Sequence, residues 1–245
     1  MGFAIESSGK TDVGLVRERN EDSMGIEPKL GLYIVCDGMG GHVGGQVASQ
    51  LSVSAVVEAM QSDDTRLDEA PDHLVTAIRR ANSAVFSKAR AEPELYNMGT
   101  TIVAVRQDKG NLHLCHVGDS RIYRLRNGKL EQLTRDHSLV NLYLDSPLFA
   151  SRFGPPNSNV IVRAVGLSEK VEVDHASVPM EAADLYLLCS DGLTDMLEDS
   201  AIQDVMLRGT TGSLDECCDL LVEKALANGG VDNVTAVLLR VKLSD

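Results

Sequence analysis

Two hydrophobic periods divide the chain. Val47, Leu51 and Ala55, joined by Val53, Val57 and Met60, recur at helical spacing and predict a helix over residues 44–60. A second helical stripe begins near Pro71, a residue suited to a first turn, and runs through Leu74, Ala77, Ile78, Ala81, Ala84 and Val85. Arg79, Arg80, Ser83 and Ser87 face away from it, and Pro93 blocks its continuation. Late in the chain, Ile202, Val205 and Met206 predict a short helix. Ser213, with Glu216 three residues on, reads as a capping box. It opens a helix through Leu214, Cys217, Cys218, Leu221, Val222 and Ala225 that stops at Gly229-Gly230. Between the helix pairs, short apolar runs predict strands at 32–36, 101–105, 112–116, 122–125, 161–165, 171–178, 185–189 and 234–241. Asn127-Gly128 joins the run at 122–125 to the one at 129–133 and signals a hairpin. Strands, two helices, many strands, two helices and a final strand do not make a βαβ alternation. The order predicts an α+β fold of antiparallel sheets covered by segregated helices.

With no repeat and no low-complexity linker, 245 residues fit one large domain over 1–245. Aromatic residues are sparse and Trp is absent, so the core must be mostly aliphatic. The 23 basic and 36 acidic residues leave a net charge of −13. Such a chain repels nucleic acid and anionic lipid, which argues against either as a partner. An odd count of five cysteines without regular spacing does not read as a disulfide framework. The N-terminal residues lack the pattern of a signal peptide, and no apolar run reaches the ~18 residues of a membrane span. These features predict a reducing, cytoplasmic location.

The charge also gathers. The apolar run at 32–36 leads into Asp37, the run at 185–189 leads through Ser190 into Asp191, and Asp232 stands just ahead of the run at 234–241. Asp119 sits in a turn between two strands. In antiparallel sheets the end of one strand lies beside the start of its neighbour, so Asp37, Asp191 and Asp232 can converge on one edge of the core. Two carboxylates at ~4 Å repel by roughly 4 kcal/mol at an effective dielectric near 20. A divalent cation converts that repulsion into binding, and oxygen-only donors favour Mg²⁺ or Mn²⁺ over Zn²⁺. The plainer reading of any single Asp is a turn residue. The loop Asp37-Gly38-Met39-Gly40-Gly41-His42 matches neither phosphate-loop pattern: no Lys follows, and Val43 takes the third glycine position of G-x-G-x-x-G.

Several short motifs follow one another along nearly the whole chain. They are Thr11-Asp12-Val13-Gly14, Arg17 with Asn20-Glu21-Asp22, Asp37-Gly38-Met39-Gly40-Gly41-His42, and Met98-Gly99-Thr100-Thr101. Val117-Gly118-Asp119-Ser120-Arg121, Asp136-His137-Ser138, Ser190-Asp191-Gly192-Leu193-Thr194-Asp195 and Asp232-Asn233-Val234-Thr235 complete the series. In this order they resemble the type-2C (PPM) family of metal-dependent Ser/Thr protein phosphatases, in its bacterial form. The resemblance implies an α-β-β-α sandwich: two antiparallel sheets flanked by pairs of helices, with a flap segment near 136–160. It implies hydrolysis of phosphoserine and phosphothreonine in proteins by a metal-activated water, without a covalent intermediate. By that resemblance Asp37 would bridge two Mn²⁺ or Mg²⁺ ions, the Gly38 carbonyl would bind one, and Asp191 and Asp232 the other. Glu21 and Asp22 would join through water, Asp119 and Asp195 with Asp191 would hold a weaker third ion, and Arg17 would grip the phosphate. His42 is a candidate general acid for the leaving alkoxide. The partners implied are phosphorylated proteins, the targets of Ser/Thr kinases, met by a monomer.

Rival chemistries are weaker. Cys115 and Arg121 match C-x(5)-R, but Asp119 inside that loop would repel phosphate, and a strand rather than a helix follows. His113 and His116 are three apart on a strand and point to opposite faces, so one ion cannot easily take both. Ser120 has no visible base. A second reading of the whole chain is a regulatory binding domain that kept the fold without the activity, and retention of Asp37, Asp191 and Asp232 argues against it. The flap departs from the family pattern. Residues 141–159 lack the Glu-Glu-Ala-like and His-Pro-x-x-Asn-like stretches, and keep only a Pro155-Pro156-Asn157-Ser158-Asn159-Val160 echo.

Overall fold

A computed structural model describes residues 2–41, 43–62, 70–152, 156 and 160–244. In chain order the strands are β1 (Gly2–Asp12), β2 (Asp22–Glu27), β3 (Leu32–Met39), β4 (Gly99–Thr100), β5 (Ile102–Asp108) and β6 (Asn111–Val117). They continue with β7 (Arg121–Arg126), β8 (Lys129–Gln132), β9 (Asp174–Pro179), β10 (Leu185–Cys189) and β11 (Val234–Ser244). The helices are α1 (Gly44–Gln61), α2 (Ala70–Ala91), α3 (Leu139–Asp145), α4 (Pro147–Arg152), α5 (Asp191–Thr194), α6 (Asp199–Arg208) and α7 (Leu214–Ala227).

Every strand pairing is antiparallel. One sheet runs β1-β11-β10-β7-β8, and the other β2-β3-β5-β6-β9 with β4 against β3. Strand periodicity then builds three apolar layers. Leu32, Ile34 and Cys36 of β3 face α1 and α2, while Tyr33 and Val35 face the opposite sheet. Leu185, Leu187 and Cys189 of β10 face α6 and α7, and Tyr186 and Leu188 face inward. A strand buried on both faces must be apolar at both parities, which is why these runs show no alternation in sequence. The α-β-β-α sandwich expected from the sequence is the observed architecture.

The structure moves several sequence-predicted elements. β1 and β2 were not expected. β1 is an edge strand paired only with β11, and much of its length is polar. Residues 161–165 form no strand: the segment makes isolated bridges, Ser138 with Ile161 and Thr100 with Val165, and its Val162 is exposed. The strand expected over 171–178 begins only at Asp174, where the pairing with His116 starts. The flap contains α3, capped by Ser138 Oγ accepting from Asn141 N at 3.3 Å, and α4. The hairpin at Asn127-Gly128 and the Ser213 cap are both present.

Candidate metal centre

Antiparallel pairing carries the acidic residues to one end of the sheets. Asp37 lies near the end of β3, where its cross-strand partner on β2 is Asp22. β10 ends at Cys189 and passes through Ser190 into Asp191, while Asp232 and Asn233 lead into the neighbouring β11. The result is a cleft of about 570 Å³, whose lining includes Arg17, Glu21, Asp37, Gly38, Asp191 and Asp232. A second cavity of about 250 Å³ is lined by Asp119, Asp136 and Asp195, and Asp191 borders both. Thus the residues expected around two ions, Asp37, Asp191 and Asp232, line one cavity, and Asp119 with Asp195 lines the one adjoining it. His42 lies outside the described residues.

The carboxylates are held without enough positive charge. Asp22 is buried; its Oδ2 accepts from Ser190 Oγ at 2.7 Å and Thr235 Oγ1 at 2.6 Å, while Oδ1 has no partner. Burial pushes its carboxyl up to about 7, with Asp191 and Asp232 adding to the rise against the two hydroxyl bonds. Burial also raises Asp37 well above the usual carboxylate range, and the charges of Asp22, Asp191 and Asp232 raise it further. Burial raises the neighbouring Asp191 too, with the charges of Asp195 and Asp232 adding to the rise. Asp119 is pushed up to about 7 by burial, then by Asp191 and Asp136, and its Oδ1 is likewise buried without a partner. Burial raises Glu21 and Asp195 as well. Orphaned oxygens and mutually destabilised anions form an all-oxygen donor set suited to hard divalent cations.

Close backbone packing shapes the floor. A Cβ on Gly38 would stand 2.1 Å from the carbonyl oxygen of Gly45 and 2.6 Å from that of Glu21. A Cβ on Gly45 would meet Glu21 Oε2. Glycines at both positions therefore let the start of α1 and the Glu21 loop close on the end of β3. Arg17 reaches the cleft from the loop after β1, and its Nη2 bonds Asp232 Oδ2 at 2.6 Å.

Several residues of the sequence motifs have supporting roles that the sequence did not show. Asn233 Oδ1 accepts from Glu21 N at 2.7 Å, and its Nδ2 donates to the carbonyls of Val13 and Arg19, which pins the Arg17 loop to β11. Thr101 N donates to the Asp37 carbonyl at 2.8 Å, Asp37 N donates to Thr101 Oγ1 at 3.0 Å, and the same hydroxyl meets Ser120 Oγ at 2.7 Å. Ser120 is thereby a tie between the Asp119 turn and β3, not a nucleophile. Cys115 and Arg121 do not form a phosphate loop: they stand on strands of different sheets. Burial pushes the Cys115 thiol up to about 12, and Arg121 is engaged with Asp136. His113 and His116 do diverge, His113 toward Ser177 and His116 onto the ring of His137.

The profile of a family described as Protein phosphatase 2C matches residues 16–228. The chain is 38% identical over 241 residues to the serine/threonine phosphatase stp of Listeria welshimeri, covering 96% of this chain and 95% of that one. It is 38% identical over 241 residues to the serine/threonine protein phosphatase PstP of Mycobacterium tuberculosis, covering 98% of this chain and 45% of that one. Among solved structures, the catalytic domain of PstP in complex with two manganese ions superposes with a TM-score of 0.86 at 37% identity, covering 99% of this chain and 100% of that one. Stp1 from Staphylococcus aureus superposes with a TM-score of 0.84 at 31% identity, covering 98% and 96%.

Proposed function

This chain belongs to the protein phosphatase 2C family, and from that premise we propose how its residues share the work of removing phosphate from phosphoserine and phosphothreonine in proteins. Metal-dependent protein dephosphorylation is the activity of the chain, since relatives over nearly its whole length are serine/threonine phosphatases. The reading as an inactive binding domain is not indicated. Residue roles rest on one observation above all: Asp37, Asp191 and Asp232 line a single cleft, in which burial and neighbouring carboxylates raise Asp37 and Asp191.

Held in this cleft, divalent ions would acidify a water for attack on phosphorus and neutralise charge on the phosphoryl oxygens. Two ions, Mn²⁺ or Mg²⁺, would be held by Asp37, the Gly38 carbonyl, Asp191 and Asp232, which line this cleft. Glu21 and Asp22 would act through water. Asp119 and Asp195, with Asp191, would take a weaker third ion in the adjoining cavity. Arg17 presents a planar fork matched to phosphate oxygens. It now bonds Asp232 and would exchange that partner for substrate. With water as the nucleophile no covalent bond to the chain forms, and the serine or threonine alkoxide leaves with a proton. His42 is proposed as its donor.

The substrates would be proteins phosphorylated by Ser/Thr kinases, and the chain would act as a single-domain monomer in the cytoplasm. Supporting that location is the odd count of five cysteines without the spacing of a disulfide framework. No helix among the described residues is long and apolar enough to cross a membrane.

The test is phosphate release from a phosphothreonine peptide, with Mn²⁺ and with excess chelator, for wild type and Asp191→Ala. Turnover that needs metal and collapses in the variant supports these roles. Turnover that survives both treatments would sink them.

A further inference from the structure

The Asp136-His137-Ser138 stretch has no part in the roles above, yet His137 is buried at a junction of three segments. Gly118 N donates to His137 Nδ1 at 3.0 Å, and His137 N donates back to the Gly118 carbonyl at 2.9 Å. The His137 carbonyl accepts from Val162 N at 2.9 Å, beside the Ser138–Ile161 bridge. The ring stacks on His116 at 4.6 Å between centroids, and His116 Nε2 faces the Arg135 carbonyl at 2.9 Å.

These contacts fix the tautomer. Nδ1 accepts from Gly118, which places the proton of the neutral ring on Nε2; that nitrogen faces Asp174 Oδ2 at 3.4 Å and the Arg163 Nη1 group at 3.1 Å. The other Asp174 oxygen is held by Arg163 Nη1 at 2.5 Å. A protonated ring would lose the Gly118 bond. Burial, His116 and Arg163 oppose that charge and push His137 down to about 4.

His116, His137 and Asp174 also present possible ligand atoms within 4.8 Å of one another. Metal binding there is disfavoured. The stacked rings lie only 18° from parallel, so their in-plane lone pairs cannot both aim at one ion. Arg163 already supplies the cation for Asp174.

We propose that His137 is a positioning residue that locks the Gly118-Asp119-Ser120 turn to residues 160–163. Asp119 and Ile161 then take their places in the two adjoining cavities together. The turn is tied on its other side to Asp37 through Ser120 and Thr101. A displacement of the flap exit is thus transmitted to the Asp119 carboxylate. Only the metal readout below rests on the roles assigned to the cleft.

Amide hydrogen exchange, followed by NMR on the metal-free full chain, tests the lock. In His137→Leu, which removes the acceptor, the Gly118 and Val162 amides exchange together, each about tenfold faster than in wild type. His137→Asn keeps an acceptor near the Nδ1 position and restores protection at both. Asp174→Ala alters an exposed carboxylate and accelerates both amides by a smaller common factor. It decides the matter if the Leu variant does not fold. Mn²⁺ titration followed by electron paramagnetic resonance gives a weakest-site Kd raised about tenfold in His137→Leu but not in His137→Asn. Acceleration at Gly118 alone, or wild-type exchange at both amides, overturns the proposal. So does Mn²⁺ broadening of the His116 and His137 ring signals ahead of those near Asp119. If Asp119→Ala leaves the Mn²⁺ titration unchanged, the third-ion role fails while the exchange data still decide the lock.

Discussion

Asp22 and Asp119 share a defect: each keeps one buried carboxylate oxygen with nothing to bond. In the metal-free chain both carboxyls hold their protons up to about 7, against an ordinary 3.8. The folded state therefore binds protons more tightly than the unfolded one between those limits. The stability this gives is fully present below 3.8 and is lost as pH rises through about 7. The melting temperature of chelated protein should carry a component that falls over this window. The component should be smaller in Asp119→Asn, and comparing the two proteins cancels the opposite contribution of His137. A slope unchanged by the substitution would show that Asp119 does not titrate there. Arg17→Ala should raise KM for a phosphopeptide by about tenfold or more, the loss of a charge-assisted bidentate contact. Steady-state kinetics would refute this if KM stayed at the wild-type value. At this scale Asp37, Asp191 and Asp232 were legible because each follows or precedes an apolar strand. Asn233, Thr101 and Ser190 were not legible as supports. They are neutral residues, and their value lies in distant partners: Asn233 holds a backbone amide 212 positions away.

Elements buried on both faces were the easiest to read, and those that lean on a single neighbour the hardest. β3, β10 and β11 announce themselves as continuous apolar runs, whereas β1 carries Glu6, Ser7, Ser8 and Lys10 and is a strand because β11 offers it a full ladder. Residues 161–165 show the converse: an apolar alternation that makes only single bridges, at Ile161 and Val165, the latter to the two-residue β4. Capping was legible because its chemistry is local. Ser213→Ala should lower stability by about 1 kcal/mol, measurable by urea unfolding, since Ser213 Oγ accepts from Glu216 N at the start of α7. At the junction of β3 and α1, Gly38→Ala should cost about 1–3 kcal/mol through overpacking. It should also weaken Mn²⁺ binding, because the added methyl would strike the carbonyl of Gly45. Calorimetric titration with unaltered Mn²⁺ affinity in a folded Gly38→Ala protein would contradict that account.

Across the whole molecule, the cleft joins both sheets, so ligand binding there should stabilise the entire fold. At an Mn²⁺ concentration 100 times Kd, one site adds about 2.7 kcal/mol. Melting should therefore rise with Mn²⁺ and return on chelation, with little of that response left in Asp191→Ala. An equal rise in the variant would place the stabilising ion elsewhere. The order of elements implied antiparallel sheets covered by segregated helices, and the family resemblance made them two, but neither said which strands would be neighbours, because that depends on pairings between remote segments. The pairing of β1 with β11 has a consequence in time. β11 lies between β1 and β10 in its sheet, yet it is the last strand of the fold to leave the ribosome. Until then β1 and β10 each lack the neighbour that β11 supplies, and Arg17 waits for Asp232, 215 positions downstream. The nascent chain can thus assemble its other sheet early, while the acidic cleft, and with it the activity, comes into being only once β11 has been made.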